Sequence, residues 1–110
     1  MNNSFDEKIL EEALNWVDAK QSVILATVVE TWGSSPRPVG SKMIVNQKGD
    51  FSGSVSGGCV ETAVIKECLD LFQNDLLHKK LEFKISNESA WDVGLTCGGE
   101  IVVYLEKISL

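Results

Sequence analysis

The chain is poor in residues that build rigid frameworks: three cysteines, two prolines, one histidine and one arginine among 110 residues. An odd cysteine count leaves no complete disulfide framework, and without a Cys-x-x-Cys pair or a second histidine a closed zinc site lacks its ligands. Positive charge is scarce as well. Ten Lys and Arg face sixteen Asp and Glu, giving a net charge of −6 with no basic cluster to offset it, which disfavours nucleic acid and anionic membranes as partners. The longest apolar stretch, Val23 to Val29, falls far short of the roughly 18 residues that a membrane helix needs. Met1 to Glu7 has neither the basic start nor the apolar core of a signal peptide, so the expectation is a cytoplasmic protein with free thiols. The length suits one domain spanning residues 1–110, with one site and no room for a separate nucleotide-binding domain.

What is present is strongly patterned. Ser4 and Glu7 have capping-box spacing, and Phe5, Ile9, Leu10, Ala13, Leu14, Trp16 and Val17 share half of a helical projection, which predicts a helix from about Phe5 to Ala19. Ser22 to Thr31 is rich in Val, Ile, Leu and Thr without a helical period, as in a central strand buried on both faces. Lys42 to Asn46 and Phe51 to Ser56 flank a turn and predict a hairpin. From Val60 to Phe72 a second amphipathic helix turns Val60, Val64, Ile65, Cys68, Leu69, Leu71 and Phe72 inward. Leu81 to Ile85 and Ile101 to Leu105 read as further strands, with an irregular loop from Ser86 to Gly99 between them. The expected fold is α+β: a mixed β-sheet of about five strands with the two helices packed on it. The hairpin is antiparallel, and the connection from the Phe51 strand through the Val60 helix to the Leu81 strand is long enough for a parallel crossover.

The unusual residues concentrate in two runs, Ser56 to Glu61 and Thr96 to Glu100, which set a glycine pair against a cysteine in opposite orders. Cys59 lies at a strand-to-helix junction, where unpaired N–H groups and the helix dipole favour a thiolate, and the Gly57-Gly58 turn could cradle an anion. Cys59 could equally be a small buried residue under a tight turn. Glu61 points along the apolar face in the first turn of the helix, so it must cap, pair or face a site. Cys68 reads as core. Arg37, held between Pro36 and Pro38 in a glycine-bounded loop, suits bidentate contact with phosphate or carboxylate, with Ser34, Ser35, Ser41 and Lys42 as further donors; pairing with a surface acid is the alternative. Cys97 precedes a strand and has no helix dipole to activate it, so it either lines a pocket shared with Cys59 or packs. Trp91 is core or a cover for a planar ring. Gly40-Ser41-Lys42 is not a P-loop, and Gly53-Ser54-Val55-Ser56-Gly57-Gly58 is not a dinucleotide fingerprint.

Taken in order, Ala26-Thr27-Val28-Val29, the Thr31 to Lys42 segment TWGSSPRPVGSK, the Gly53 to Glu61 segment GSVSGGCVE and Thr96-Cys97-Gly98-Gly99 form a specific combination. It resembles the amino-terminal domain of the XdhC/CoxI family, accessory factors of xanthine dehydrogenase and carbon monoxide dehydrogenase, over roughly residues 22 to 105. The resemblance implies a chaperone, not an enzyme, that binds molybdenum cofactor (molybdopterin), supports exchange of its terminal oxo ligand for sulfur and delivers it to a molybdenum hydroxylase. The signature positions are Ser34, Ser35, Pro36, Arg37, Gly57, Gly58, Cys59, Glu61, Cys97, Gly98 and Gly99. On this reading Arg37 and the Gly57-Gly58 turn contact an anion, and Cys59 meets the molybdenum or a transferred sulfur. The implied partners are the apo-hydroxylase and a cysteine desulfurase. Many family members continue into a carboxy-terminal Rossmann-like domain that these 110 residues do not contain, and what that half contributes, cofactor closure and dimer contacts included, would come from a separate subunit or a homo-oligomer. Two other readings stay open: a sulfurtransferase carrying persulfide on Cys59, and a cofactor-free structural partner of a larger homologue.

Overall fold

In the computed structural model, which describes residues 4–34, 37–58, 60–85 and 98–108, the chain runs α1 (Ser4–Asp18), β1 (Val23–Ser34), β2 (Lys42–Asn46), β3 (Phe51–Gly53), α2 (Glu61–Gln73), β4 (His78–Ile85) and β5 (Gly98–Ile108). The first part of β1, apolar from Val23 to Val29 except at Thr27, needs cover on both faces, and β1 receives it at the centre of a five-stranded sheet of order β3-β2-β1-β5-β4. Side chains alternate across a strand. Ile24, Ala26 and Val28 of β1 therefore join Met43 and Val45 of β2 in one cluster with Val64, Cys68 and Leu71 of α2. Val23, Leu25 and Ile44 turn the other way and meet Ile9 and Ala13 of α1. The helices thus cover opposite faces of the sheet, and each fully buried Ile, Leu or Met contributes roughly 2 kcal/mol.

The α+β class and the five strands stand as expected, but every neighbouring pair is antiparallel, so the sheet is not mixed. The expected crossover does join strands that run the same way, since β3 and β4 are each an even number of antiparallel steps apart. They lie at opposite edges of the sheet, however, with three strands between them. Several boundaries move for identifiable reasons. β3 stops at Gly53, where φ is +89°, instead of running on to Ser56. β4 begins at the polar His78, whose ring stacks on Tyr104 of β5 at a centroid distance of 5.9 Å. β5 begins at Gly98 because it pairs with the extended end of β1, Gly33 with Gly99 and Ser34 with Gly98. Leu10, Leu14 and Leu69, expected inward, are exposed, because the buried stripes centre on Ile9 and Ala13 in α1 and on Val64, Cys68 and Leu71 in α2. The side chain of Ser4 and the segment 86–97, and with them the capping box and Trp91, lie outside the described residues.

Gly99 illustrates how tightly the β1–β5 pair closes. A Cβ there would lie 2.0 Å from the carbonyl oxygen of Trp32, and φ is +130°. At Gly40, where φ is +94°, a Cβ would meet nothing within 4 Å. Gly99→Ala should therefore lose roughly 3 kcal/mol or more in urea unfolding, and Gly40→Ala about 1 kcal/mol from backbone strain alone. Equal losses would contradict the steric account.

Candidate functional site

The loop that leaves β3 is built around one carboxylate. Ser54 follows Gly53, its N–H donating to the Lys42 carbonyl at 3.1 Å, and Val55 is fully buried in the α2-side core, which anchors the loop. The chain then folds back over Glu61. The Oε2 atom of Glu61 accepts from Ser54 Oγ at 2.7 Å and from the N–H groups of Val55 and Ser56, each at 3.0 Å. Its Oε1 atom accepts from the Ser56 hydroxyl and from the Gly58 N–H at 3.0 Å. The two serines relay the hold: Ser54 Oγ accepts the Gly57 N–H at 2.9 Å, and Ser56 Oγ accepts the Val60 N–H at 2.9 Å. Gly57 and Gly58 both adopt positive φ, +71° and +112°, which glycine tolerates and which lets the turn wrap round its acceptor. Both glycines are exposed, and the space where a Cβ of Gly58 would stand is open.

This geometry settles how Glu61 resolves its inward position: its carboxylate binds the preceding turn. The N–H groups of Gly57 and Gly58, offered by the sequence to an external anion, donate instead to Ser54 and Glu61. Ser54 and Ser56, which sequence reasoning passed over inside a dismissed glycine motif, are the hydroxyls that make the turn possible. A pair of serines a few residues before an acidic helix start is the signal that would have found them.

Around the proline loop, Val28 of β1 receives Gly40 N–H on its carbonyl at 2.8 Å and gives its own N–H to Ser41 at 2.9 Å. Ser41 is buried and donates its hydroxyl to the Pro38 carbonyl at 2.7 Å, so it braces the loop and does not face outward. Lys42 Nζ donates to the Gly40 carbonyl at 3.0 Å. Arg37 is half-buried in this loop. Ser35, Pro36, Cys59 and Cys97, together with the side chain of Ser34, lie outside the described residues. The register separates the root of the Glu61 turn from the second glycine pair. Gly53, at the root of the Glu61 turn, lies level with Ala26 of β1 through Met43, while Gly99 lies level with Gly33, roughly 20 Å further along the strand. The proline loop spans that interval, beginning beside Gly98 and returning to Lys42.

A shallow pocket of about 250 Å³ lies elsewhere, over Val102 and walled by Glu30, Trp32, Glu82, Lys84 and Glu100. It contains none of the predicted site residues, and its three glutamates against one lysine suit an anion poorly. The Glu61 turn and the described part of the proline loop stay the candidate site. Cys68, as expected, is core: burial, aided by the neighbouring charge of Glu67, pushes its thiol up to about 12.

The profile of the XdhC and CoxI family matches residues 16–79, which include the proline loop and the whole Glu61 turn. The chain belongs to this family. It is 36% identical over 101 residues to the molybdenum cofactor insertion chaperone PaoD of Escherichia coli, and 32% identical over 96 residues to a probable subunit of xanthine dehydrogenase from Bacillus subtilis. These alignments cover 91% and 84% of the chain but 31% and 28% of the relatives, so the chain spans about a third of their length. A crystal structure described as a xanthine dehydrogenase from Bacillus halodurans superposes with a TM-score of 0.75 at 29% identity, covering 92% of this chain and 30% of that one. The fold described above therefore recurs in that structure. No helix among the described residues is long and apolar enough to cross a membrane.

The Glu61 turn carries a pH signature. Partial burial alone would push the carboxyl up, but hydrogen bonds from the hydroxyls and N–H groups of Ser56, Ser54 and Val55 outweigh it and hold Glu61 at about 2, from an ordinary 4.5. A depressed folded-state value contributes stability that is fully present above pH 4.5 and lost as pH falls toward 2. Discounted for solvent screening, the contribution is on the order of 1–2 kcal/mol. Urea unfolding should show this loss between pH 5 and pH 2.5 in the parent and its absence in Glu61→Gln; parallel pH curves for the two proteins would refute it.

Proposed function

We propose that this chain is an accessory protein for a molybdenum enzyme. It binds molybdenum cofactor as cargo, holds it while the terminal oxo ligand is exchanged for sulfur, and passes it to a molybdenum hydroxylase such as a xanthine dehydrogenase. The observation that carries this reading is the 36% identity, over 91% of the chain, to a protein named as a molybdenum cofactor insertion chaperone. The residues available are of the right chemical kind. A guanidinium such as that of Arg37 matches a pterin phosphate bidentately, and the hydroxyls of Ser34 and Ser35 can add donors. The exposed Gly57-Gly58 turn offers a bare backbone surface that a flat pterin can approach closely. Cys59, next in the chain, is assigned contact with the molybdenum or with the incoming sulfur, and Cys97 with Gly98 and Gly99 is assigned a second wall. On this reading the partners are the apo-hydroxylase, a cysteine desulfurase as sulfur source, and a second copy or a Rossmann-domain subunit. Cytoplasmic residence follows from those partners.

The test is retention of cofactor. Purified protein mixed with molybdenum cofactor at micromolar concentration and passed through gel filtration should carry molybdenum and pterin in its peak and reconstitute an apo-hydroxylase. Cys59→Ser and Arg37→Ala should each weaken retention about tenfold or more, some 1.4 kcal/mol. Cys68→Ser should keep its cofactor and lose only about 1–2 kcal/mol of stability from burying a hydroxyl. A parent protein that elutes empty, or a Cys68→Ser variant as impaired as Cys59→Ser, would sink the reading.

A further inference from the structure

We propose that the half of the sheet left uncovered on the α1 side is a docking surface for a partner protein, and that the group it receives there is an arginine side chain. The surface is separate from the Glu61 turn, and the proposal does not depend on the cofactor reading. Register puts it together. Glu30, Val102 and Glu82 stand level across β1, β5 and β4, and Trp32, Glu100 and Lys84 form the next row on the same face. Ile101, Val103 and Leu105 of β5 turn into the α2-side cluster, so Val102 and both rows face the other way. On that side α1 covers β2, β3 and the start of β1, where Ile9 and Ala13 meet Val23, Leu25 and Ile44. The far half stays open: Glu30, Glu82 and Lys84 are exposed, and Trp32 keeps 54% of its surface in solvent. Val102, buried beneath them, is the floor of the pocket of about 250 Å³.

Charge and shape together select the occupant. Glu82 pairs with Lys80 and Glu100 with Lys84, each at 3.6 Å on largely exposed side chains, and such pairs contribute little and exchange readily. Glu30 has no ion pair among the described residues. Two residues along the same strand and on the same face stands the open ring of Trp32. An indole face beside an unpaired carboxylate calls for a flat cation: a guanidinium stacks on the ring and keeps its edge N–H groups for the acid. A metal ion is a poor match, since no acidic group among the described residues is gathered closely enough to hold one. A quaternary ammonium needs a cage of rings. Of the two aromatic residues at the pocket, Phe83 packs against the α2-side cluster, which leaves Trp32 alone.

The pocket's shallowness says what carries the cation. A free small ligand needs a cleft that covers most of its surface, whereas Glu30 and Glu82 stand about 10 Å apart on an open sheet with Val102 between them. The arginine therefore belongs to a protein segment whose flanking residues cover the rest of the face. A second copy of this chain is the poorer source, because its one arginine, Arg37, is half-buried in its own proline loop.

The test titrates the isotope-labelled full chain, without cofactor, with the peptide acetyl-Leu-Arg-Leu-Arg-amide and follows the backbone amide signals of Glu100 and Val102 by NMR. The parent should show a saturable shift at those positions. Replacing both arginines of the peptide by citrulline, which keeps the shape and removes the charge, should weaken binding about tenfold, and replacing them by lysine about threefold. Trp32→Ala should weaken it about fivefold and Glu30→Gln about threefold. Asp70→Asn, an equal change of net charge on α2 at the opposite face, should leave it unchanged. The proposal is overturned if no saturable shift appears by about 5 mM peptide, if the citrulline peptide binds equally, or if Asp70→Asn costs as much as Glu30→Gln. Acetyl-arginine-amide binding as tightly as the peptide would also overturn it, in favour of a small ligand. So would a parent that sediments as a dimer and a Trp32→Ala variant that sediments as a monomer, since a second copy would then cover the face.

Discussion

β1 and β5 pair along their whole lengths, from Val23 opposite Ile108 to Ser34 opposite Gly98, and the other elements take their places from that ladder. β2 and β4 add to its two outer edges, β3 extends β2, and the alternation of side chains along β1 assigns α1 to one face and α2 to the other. The ladder also runs beyond β2. Past Thr27, opposite Lys42, the edge of β1 is met first by the returning proline loop, through Gly40 and Ser41 at Val28. The register shifts between Val28 and Glu30, so a bulge marks the position where the loop docks. The loop that carries Arg37 is therefore spliced into the sheet at its foot and leaves it beside Gly98 at its head.

Against that frame the Glu61 turn solves a specific problem of backbone accounting. A loop that bends sharply into a helix exposes several N–H groups without partners, and burying its Val55 and Ser56 would be costly if they stayed unsatisfied. An ionised carboxylate reaching back from the first turn of α2 satisfies three of them directly and two more through serine hydroxyls. The arrangement has the chemistry of an anion nest with the anion supplied by the chain itself. That is why a burying environment, which normally raises a carboxyl's pKa, ends with Glu61 held at about 2.

How much of this was legible depends on whether a feature is local. The helices and β2 are repeated patterns of side chains and are identified within a residue, while the central strand, an apolar run expected to end at Thr31, continues three residues further to Ser34 because β5 pairs with that end. The ends of β4 and β5 are not: His78, Lys79 and Lys80 carry no apolar signal, and Gly98 and Gly99 have little strand propensity, yet pairing with Tyr104, Leu105 and Gly33 draws them into the sheet. The same holds at the site. Arg37, the glycine pair and Cys59 stand out as unusual residues in unusual places. Ser54 and Ser56 do not, because a serine's hydroxyl has no meaning until the chain folds back and places an acceptor within reach. The strand expected to run to Ser56 fails for that reason. Gly53 turns the chain, and the competing hydrogen bonds to Glu61 take the donors that a longer β3 would have used.

The division of labour at the turn bears on how a protein with net charge −6 could hold an anionic cargo at all. With Glu61 filling the nest, the backbone donors of Gly57 and Gly58 do not add to the pull on a phosphate, and a full negative charge sits just beneath them. A net charge of −6 gives an anionic cargo no long-range attraction, so on the proposed reading its recognition is short-range. On that reading it falls to groups that gain by contact, such as the planar guanidinium of Arg37. For the proposed role, a turn that satisfies its own donors leaves the backbone with no claim on the phosphate, so the affinity for an anionic cargo rests on side-chain contacts such as that of Arg37.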